Sequence, residues 1–217
     1  MTLPLHLDDG RTARIEAVLF DMDGTIVDSV EATERIWTTW AADRGVLDRL
    51  RIDHGRPAEY TIRTAMPHLA GAALEEAVAE QRALEAADLD GVHPMAGVHD
   101  LIDALESAGI PWAVVTSADR TLALARMSVC GIHPPLLVTR EDVRLGKPDP
   151  EPFALGAARI GRPAAQCLVV EDTIPGVDSG RGAGCVTAGL GAIGSDVRIN
   201  DLPDLHARLL GHGEART

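Results

Sequence analysis

The sequence predicts an α/β protein whose mostly parallel sheet carries helices on both faces, and three observations lead to this class. A run of uncharged residues at 17–20 has the length and composition of a strand buried on both faces. Beyond about residue 98, short apolar runs alternate with amphipathic runs of helical length. Between residues 30 and 88 only helical patterns occur. We therefore expect one sheet with right-handed crossovers and a helical insertion after its first strand.

Composition and charge limit the classes of partner. The 217 residues are 46% hydrophobic, which is enough to bury a full core. The formal net charge of −13 repels polyanions, so we expect neither nucleic acid nor an anionic membrane as a partner. We find no apolar run of membrane-spanning length and no signal-peptide pattern. Three cysteines without Cys-x-x-Cys spacing fit a reduced compartment, so we predict a cytoplasmic protein. We also expect a monomer or a weak dimer.

The first predicted strand runs directly into the segment Asp21-Met22-Asp23-Gly24-Thr25. Open α/β sheets bind ligands at the carboxyl ends of their strands, which is where these two acids lie. Asp21 and Asp23 repel each other unless a cation lies between them or they share a proton. A solvated turn carrying two acids is the simpler interpretation of this pattern alone. An EF-hand loop is excluded, because Ile26 stands where that loop requires glycine.

The insertion contains three predicted helices, at residues 30–44, about 60–66 and 72–87. Asp28 followed by Glu31 marks the start of the first helix, and Gly45 marks its end. A turn at residues 54–57 separates the first helix from the second. With no strand pattern in this stretch, the insertion is predicted to pack as a helical unit of its own.

Domain boundaries follow from this insertion. We assign residues 29–92 to a small α-helical cap domain, and residues 1–28 and 93–217 to the α/β core domain. The two connections between them, at residues 28–30 and 90–97, are the expected hinges of a cap that closes over the sheet edge and excludes bulk water.

The remainder of the chain alternates between the two kinds of element. We predict helices at residues 98–105, 122–129, 150–160 and 175–181. We predict strands at residues 111–116, 136–139, 167–170, 185–188 and 197–199. If these strands are parallel neighbours, the polar residues at their carboxyl ends converge on one edge of the sheet.

Three further polar segments follow or flank predicted strands. Thr116 and Ser117 supply hydroxyls at the end of one strand, and Glu171 and Asp172 supply a second pair of acids at the end of another. Lys147 supplies a cation from a loop stiffened by two prolines. We expect these side chains to meet the acids of the first strand.

Four carboxylates around one point are strongly unfavourable without a divalent cation, and ligands that are all oxygen select Mg²⁺ over zinc. Such a cation would hold a phosphate oxygen, Lys147 would offset the remaining charge, and the Thr116 hydroxyl would donate a hydrogen bond to the phosphoryl group. Phosphoryl transfer requires little beyond this positioning and charge stabilisation. One aspartate then serves as nucleophile and the other as general acid and later base.

These motifs resemble, in order and spacing, the four motifs of the haloacid dehalogenase superfamily, over residues 15–205. The motifs are Asp21-Met22-Asp23-Gly24-Thr25, Thr116-Ser117, Lys147 within Gly-Lys-Pro-Asp-Pro, and Glu171-Asp172. The resemblance implies a Rossmann-like core. It also implies that the insertion is the small helical cap of the branch containing sugar-phosphate phosphatases, glycerol-phosphate phosphatases and β-phosphoglucomutase.

The resemblance also implies a role for each motif residue. Asp21 is the expected nucleophile, Asp23 the acid and base, Thr116 a phosphate ligand and Lys147 the residue that balances charge. Because true dehalogenases lack an acid at the place of Asp23, the resemblance favours hydrolysis of a phosphate ester over dehalogenation.

The implied metal site takes its ligands from two of these motifs. Asp21, Asp172 and the backbone carbonyl of Asp23 are expected to bind Mg²⁺, with Glu171 as a supporting or alternative ligand.

Substrate contacts are expected from the cap as well as the core. Residues 54–63 resemble the cap loop of sugar- and polyol-phosphate phosphatases, which implies substrate contacts from His54, Gly55 and Arg56, beside those from Thr116, Ser117 and Lys147 in the core. Glu59 and Arg63 either bind substrate hydroxyls or form an ordinary exposed helix pair.

The function predicted from these residues is a Mg²⁺-dependent phosphatase that hydrolyses a small phosphorylated sugar, polyol or related metabolite through an aspartyl-phosphate intermediate. A β-phosphoglucomutase-like phosphomutase would use the same core residues and remains the alternative. A regulator that binds phosphate or metal without turnover is disfavoured, because the nucleophile and the acid are both present.

Overall fold

The computed structural model describes residues 2–52, 57–191 and 193–211. The strands are β1 Leu3–His6, β2 Thr12–Ile15, β3 Ala17–Phe20, β4 Val27–Asp28, β5 His93–Pro94, β6 Trp112–Val115, β7 Leu137–Val138, β8 Cys167–Glu171, β9 Val186–Leu190 and β10 Val197–Ile199. The helices are α1 Val30–Asp43, α2 Ala58–Ala65, α3 Ala72–Ala87, α4 Val98–Ser107, α5 Arg120–Val129, α6 Glu151–Ile160, α7 Ile174–Gly182 and α8 Leu202–Leu210.

Within the described residues, six strands form one parallel sheet in the order β10-β9-β8-β3-β6-β7. Strand β3 lies between β8 and β6, with Phe20 opposite Val170 on one side and Val114 on the other. Residues that follow these three strands therefore emerge side by side at the same edge. The predicted α/β class with a mostly parallel sheet is confirmed.

The two faces of the sheet are covered by different helices, and β3 contributes to both hydrophobic clusters. Val18 and Phe20 pack in the cluster that includes Leu101 of α4 and Leu205 of α8. Leu19 packs in the cluster that includes Phe153 of α6. Because all four residues of β3 are buried, no position of this strand tolerates a charge without cost.

The helices α1, α2 and α3 lie between β4 and β5 and have an apolar cluster of their own. Trp37 and Trp40 of α1 make an edge-to-face contact at 5.5 Å between ring centroids, and Ile62 and Leu74 join the same cluster. The short strands β4 and β5 pair antiparallel, so the two connections to this helical segment run next to each other. The assignment of a cap domain with hinges at these connections stays a prediction.

Three local features differ from the sequence prediction or were not anticipated by it. Ser29, not Asp28, is the N-cap of α1, because Asp28 is paired in β4. The hairpin β1–β2 was not predicted, since neither of its strands has a continuous apolar run like that of β3. Helix α8 was also missed, although its buried leucines pack against α4 and β1.

No helix in the described part of the chain combines the length and apolar character that crossing a bilayer requires.

Candidate active site

The loop after β3 sends its two acids in different directions. Asp21 still belongs to the ladder of the sheet, because its backbone N–H donates to the Val170 carbonyl at 2.9 Å, and its side chain is buried. The chain then turns at Gly24, whose φ of +81° is strained for any residue with a Cβ. Asp23 lies in this turn and is half-buried, with its carboxylate directed away from Asp21's partners.

Lys147 is the partner of Asp21. Its ammonium donates to Asp21 Oδ1 and, at 2.7 Å, to Glu171 Oε1, and the side chain is 1% exposed. The ring of Phe153 lies beneath it, with its centroid 4.8 Å from Nζ. Burial disfavours the ammonium, but Asp21 and Glu171 outweigh burial and raise the pKa of Lys147 above its ordinary value. The lysine is therefore positively charged at neutral pH.

Glu171, the last residue of β8, is fully buried and held at both oxygens. Lys147 occupies Oε1, whereas Oε2 accepts hydrogen bonds from the Thr173 hydroxyl at 2.8 Å and the Thr173 amide at 3.0 Å. The next residue, Asp172, is half-buried, and its Oδ1 accepts a hydrogen bond from the Thr25 hydroxyl at 3.0 Å.

The three acids Asp21, Glu171 and Asp172 lie close enough to share a cation. One carboxylate oxygen from each lies within 4.8 Å of the others. Burial raises the pKa of Asp172 to about 7, with Glu171 adding to the rise. Burial also raises the pKa of Asp21 well above its ordinary value, although Lys147 opposes this rise. A bound cation would relieve this repulsion, and a donor set made only of oxygens fits a hard divalent ion.

The predicted hydroxyl residues lie at the end of β6, the other neighbour of β3. Thr116 is buried, and its amide continues the sheet by donating to the Val138 carbonyl at 3.0 Å. Its Oγ1 accepts a hydrogen bond from the Ala118 amide at 3.1 Å. This contact uses the oxygen as an acceptor, so the hydroxyl hydrogen is left to donate to a ligand. Both Thr116 and Ser117 line the cavity described next.

A cavity of about 110 Å³ lies between this sheet edge and the helical segment α1–α3. Asp21, Asp23 and Asp172 line it on the sheet side, and Trp37 and Arg82 line it on the helical side. Lys147 and Glu171 are absent from the lining that the described residues form, because they lie behind the Asp21 carboxylate.

Arg126 of α5 also lines the cavity and was missed by the sequence analysis. Its Nη1 donates to Asp23 Oδ1 at 2.7 Å, and its Nη2 donates to Glu85 Oε2 at 3.1 Å, which joins α5 to α3. The residue is 3% exposed. The signal that could have revealed it is a charged residue on the buried face of an amphipathic helix, between Leu122 and Met127.

The substrate contacts predicted in the helical segment have two outcomes. His54, Gly55 and Arg56 lie outside the described residues. Glu59 and Arg63 form an exposed pair on α2, with Nε 2.9 Å from Oε1, and do not line the cavity as the described residues define it. Their contact is the ordinary helix pair that the sequence left as one of two possibilities.

A family model for haloacid dehalogenase-like hydrolases matches residues 15–184, and the chain belongs to this family. Hexitol phosphatase A from Escherichia coli K12 is 37% identical over 192 residues, which cover 87% of this chain and 89% of the relative. Glycerol-1-phosphate phosphohydrolase 1 from Saccharomyces cerevisiae is 31% identical over 205 residues, covering 87% and 77%. The predicted family and its hydrolytic character are confirmed.

Solved structures agree with this membership. CbbY from Rhodobacter sphaeroides, in complex with phosphate, superposes with a TM-score of 0.71 at 25% identity, covering 88% of this chain and 96% of that one. A β-phosphoglucomutase from Clostridium difficile superposes with a TM-score of 0.73 at 19% identity, covering 88% of each chain. The second likeness concerns the fold alone.

Proposed function

We propose that the protein is a Mg²⁺-dependent phosphatase that hydrolyses a small phosphorylated sugar, polyol or related metabolite through an aspartyl-phosphate intermediate. One observation carries the proposal: Asp21 and Asp23 line the same small cavity, yet one is held by Lys147 and the other by Ser29 and Arg126. Two carboxylates in different surroundings suit two different roles. Relatives named as hexitol and glycerol-1-phosphate phosphatases support the substrate class.

In the first step, an oxygen of the Asp21 carboxylate attacks phosphorus and the bond from phosphorus to the ester oxygen breaks. Lys147 holds Asp21 in the attacking orientation, and its positive charge favours the ionised form of that carboxylate. Asp23 gives a proton to the departing alkoxide, which leaves as an alcohol. The Thr116 hydroxyl donates to a phosphoryl oxygen and steadies the transferred group.

In the second step, water attacks the phosphorus of the aspartyl-phosphate. Asp23, now ionised, takes the proton of that water, the bond between phosphorus and the Asp21 oxygen breaks, and inorganic phosphate leaves. Both aspartates return to their starting states. Asp23 thus serves as acid and then as base, which requires that one oxygen of its carboxylate face the phosphoryl group in both steps.

Asp21, Asp172 and the backbone carbonyl of Asp23 are the residues that would hold Mg²⁺, with Glu171 supporting them. When bound, the ion supplies positive charge beside the phosphoryl oxygens and lowers the repulsion between phosphate and carboxylates.

The helical side of the cavity favours a neutral, hydroxyl-rich leaving group. Arg82 Nε lies 3.3 Å from Asp119 Oδ2, and Arg126 is paired with Glu85. Among the described lining residues these arginines are matched by acids, so they present no net positive charge to a second anionic group on the substrate. The Arg82–Asp119 pair still offers donors and acceptors to hydroxyls.

The test is phosphate release from a panel containing hexitol phosphates, glycerol phosphates and sugar phosphates, with and without Mg²⁺. We expect release that requires Mg²⁺ and is abolished by Asp21→Asn. Asp103→Asn, an exposed acid of α4, serves as the matched control and should retain wild-type turnover. Release that survives Asp21→Asn would contradict the proposal.

The same panel separates a phosphatase from a phosphomutase. A mutase moves the phosphoryl group to another hydroxyl and conserves esterified phosphate, whereas a phosphatase produces inorganic phosphate. Assays with a sugar bisphosphate activator distinguish the two, and isomerised sugar phosphate without free phosphate would replace our proposal with the mutase.

A further inference from the structure

Arg126 is a buried cation shared between two acids from different parts of the chain. Besides its contacts with Asp23 and Glu85, its Nη2 donates to the Thr33 hydroxyl of α1 at 2.9 Å. A guanidinium leaves water only where anions compensate it, and here Asp23 and Glu85 both do so. The arginine therefore joins the loop after β3 to helices α1, α3 and α5.

Asp23 is held asymmetrically by this arrangement. Its Oδ1 accepts from the Ser29 hydroxyl at 2.6 Å and from Arg126 at 2.7 Å. Within the described residues, both of the hydrogen bonds given to this carboxylate go to Oδ1. Two donors on one oxygen fix the plane of the carboxylate of Asp23, which lines the cavity.

Glu85 is in turn held from its own helix. Gln81 Nε2 donates to Glu85 Oε1 at 3.2 Å, and both residues are buried on α3. Burial raises the pKa of Glu85, while the Arg126 charge opposes that rise. The sequence of contacts from Gln81 through Glu85 and Arg126 therefore ends at the carboxylate of Asp23.

Stability alone gives no reason for this cation. Buried ion pairs are often no more stabilising than apolar residues of similar volume, and the remainder of the buried face of α5 is apolar. The contact between Arg126 and Asp23 gives a reason for the buried arginine, because Asp23 lines the cavity and a proton is transferred efficiently only from a well-oriented carboxyl group.

We propose that Arg126 is a positioning residue that orients the Asp23 carboxylate for proton transfer, and that Glu85 acts on Asp23 only through Arg126. This inference rests on the proposed function, in which Asp23 is the acid and base. Arg126 reaches neither the nucleophile nor Lys147 by any hydrogen bond among the described residues, so its effect is confined to the steps in which Asp23 moves a proton.

The test uses the leaving group to isolate proton transfer. Release of an alcohol in the first turnover needs a proton from Asp23, whereas 4-nitrophenolate leaves without one. Rapid-mixing experiments on the Mg²⁺-loaded enzyme measure both products in the first turnover. The alcohol is released from glycerol-1-phosphate, or from a better alkyl ester of the panel, and 4-nitrophenolate is released from 4-nitrophenyl phosphate.

In Arg126→Gln we expect alcohol release to slow by at least about 10-fold, because a misoriented Asp23 loses part of the rate acceleration that a general acid provides. The 4-nitrophenolate burst should be nearly unchanged. Arg126→Lys keeps the charge and should recover part of the loss, and it decides the question if Arg126→Gln fails to fold. Arg120→Gln is the matched control, because Arg120 lies on the same helix but is exposed and pairs with Asp142.

Two combinations complete the experiment. In an Asp23→Asn background, Arg126→Gln should cause no further slowing of alcohol release. Glu85→Gln should show the same dependence on leaving group as Arg126→Gln, with a smaller loss, and no effect once Arg126 is replaced.

Equal slowing with both esters, or a full additional loss in the Asp23→Asn background, would overturn the positioning role. These outcomes differ from failure of the proposed function, which would appear as turnover that survives Asp21→Asn.

Discussion

Lys147 donates to Glu171 Oε1 at 2.7 Å in a space that water does not reach, and the same ammonium also holds Asp21. The lysine is thus the shared cation of two buried carboxylates. Its charge compensates both acids, and its contact with Asp21 fixes one oxygen of a residue that lines the cavity.

Replacing this cation should therefore cost stability as well as activity. Lys147→Met leaves two uncompensated buried acids, and we expect the free energy of unfolding to fall by about 3–5 kcal/mol. Urea unfolding with and without the substitution measures this. The double variant Lys147→Met/Glu171→Gln removes one of the two charges and should recover part of the loss; a double variant no more stable than the single one would contradict this account.

Divalent metal should stabilise the protein through Asp172. Mg²⁺ at about 100 times its dissociation constant adds about 2.7 kcal/mol to the free energy of unfolding if it binds the native state alone. We expect a higher Tm on addition of Mg²⁺ to the wild type and no change for Asp172→Ala. Asp103→Ala should respond as the wild type does. An equal rise in Tm for Asp172→Ala would place the ion elsewhere.

The turn at Gly24 should be intolerant of a side chain for two reasons. Its φ is +81°, and a Cβ built there would overlap the Asp172 carboxyl. Gly24→Ala should therefore destabilise the protein and also abolish the rise in Tm caused by Mg²⁺. Gly45→Ala is the matched control, because its φ of +65° carries the same backbone strain but no atom lies within 4 Å of the added Cβ. That variant should lose stability and keep its response to Mg²⁺.

The three thiols predict a loss of stability in alkali. Burial raises the pKa of Cys130 and Cys167 to about 11 and that of Cys185 to about 12, from an ordinary value of 9.0. Between about pH 9 and 10 the unfolded chain therefore binds fewer protons than the native protein, and the free energy of unfolding falls as pH rises. Urea titrations across this range measure the slope. Cys185→Ala should flatten it, and an unchanged slope would contradict burial of that thiol.

The elements were largely predictable because their signals are local. The uncharged run at β3 and the amphipathic pattern of α4 follow from burial of one strand and one helix face. The strands of the hairpin β1–β2 lack a continuous apolar run, and Leu3 and Leu5 are buried in a strand that packs against α8. Ser29 occupies the N-cap position of α1 without a side-chain cap, because its hydroxyl donates to Asp23 instead.

The sequence by itself determined which chemistry is present: two acids after β3, a second acidic pair after β8, hydroxyls after β6 and one lysine. Each stands at an element boundary, where residue type and local pattern are enough. Only the tertiary structure decided which cation pairs with each of the two aspartates after β3. It gave Asp21 to Lys147 and Asp23 to Arg126, because those partners come from 126 and 103 residues away and contacts at such separation leave no periodic trace in a single chain.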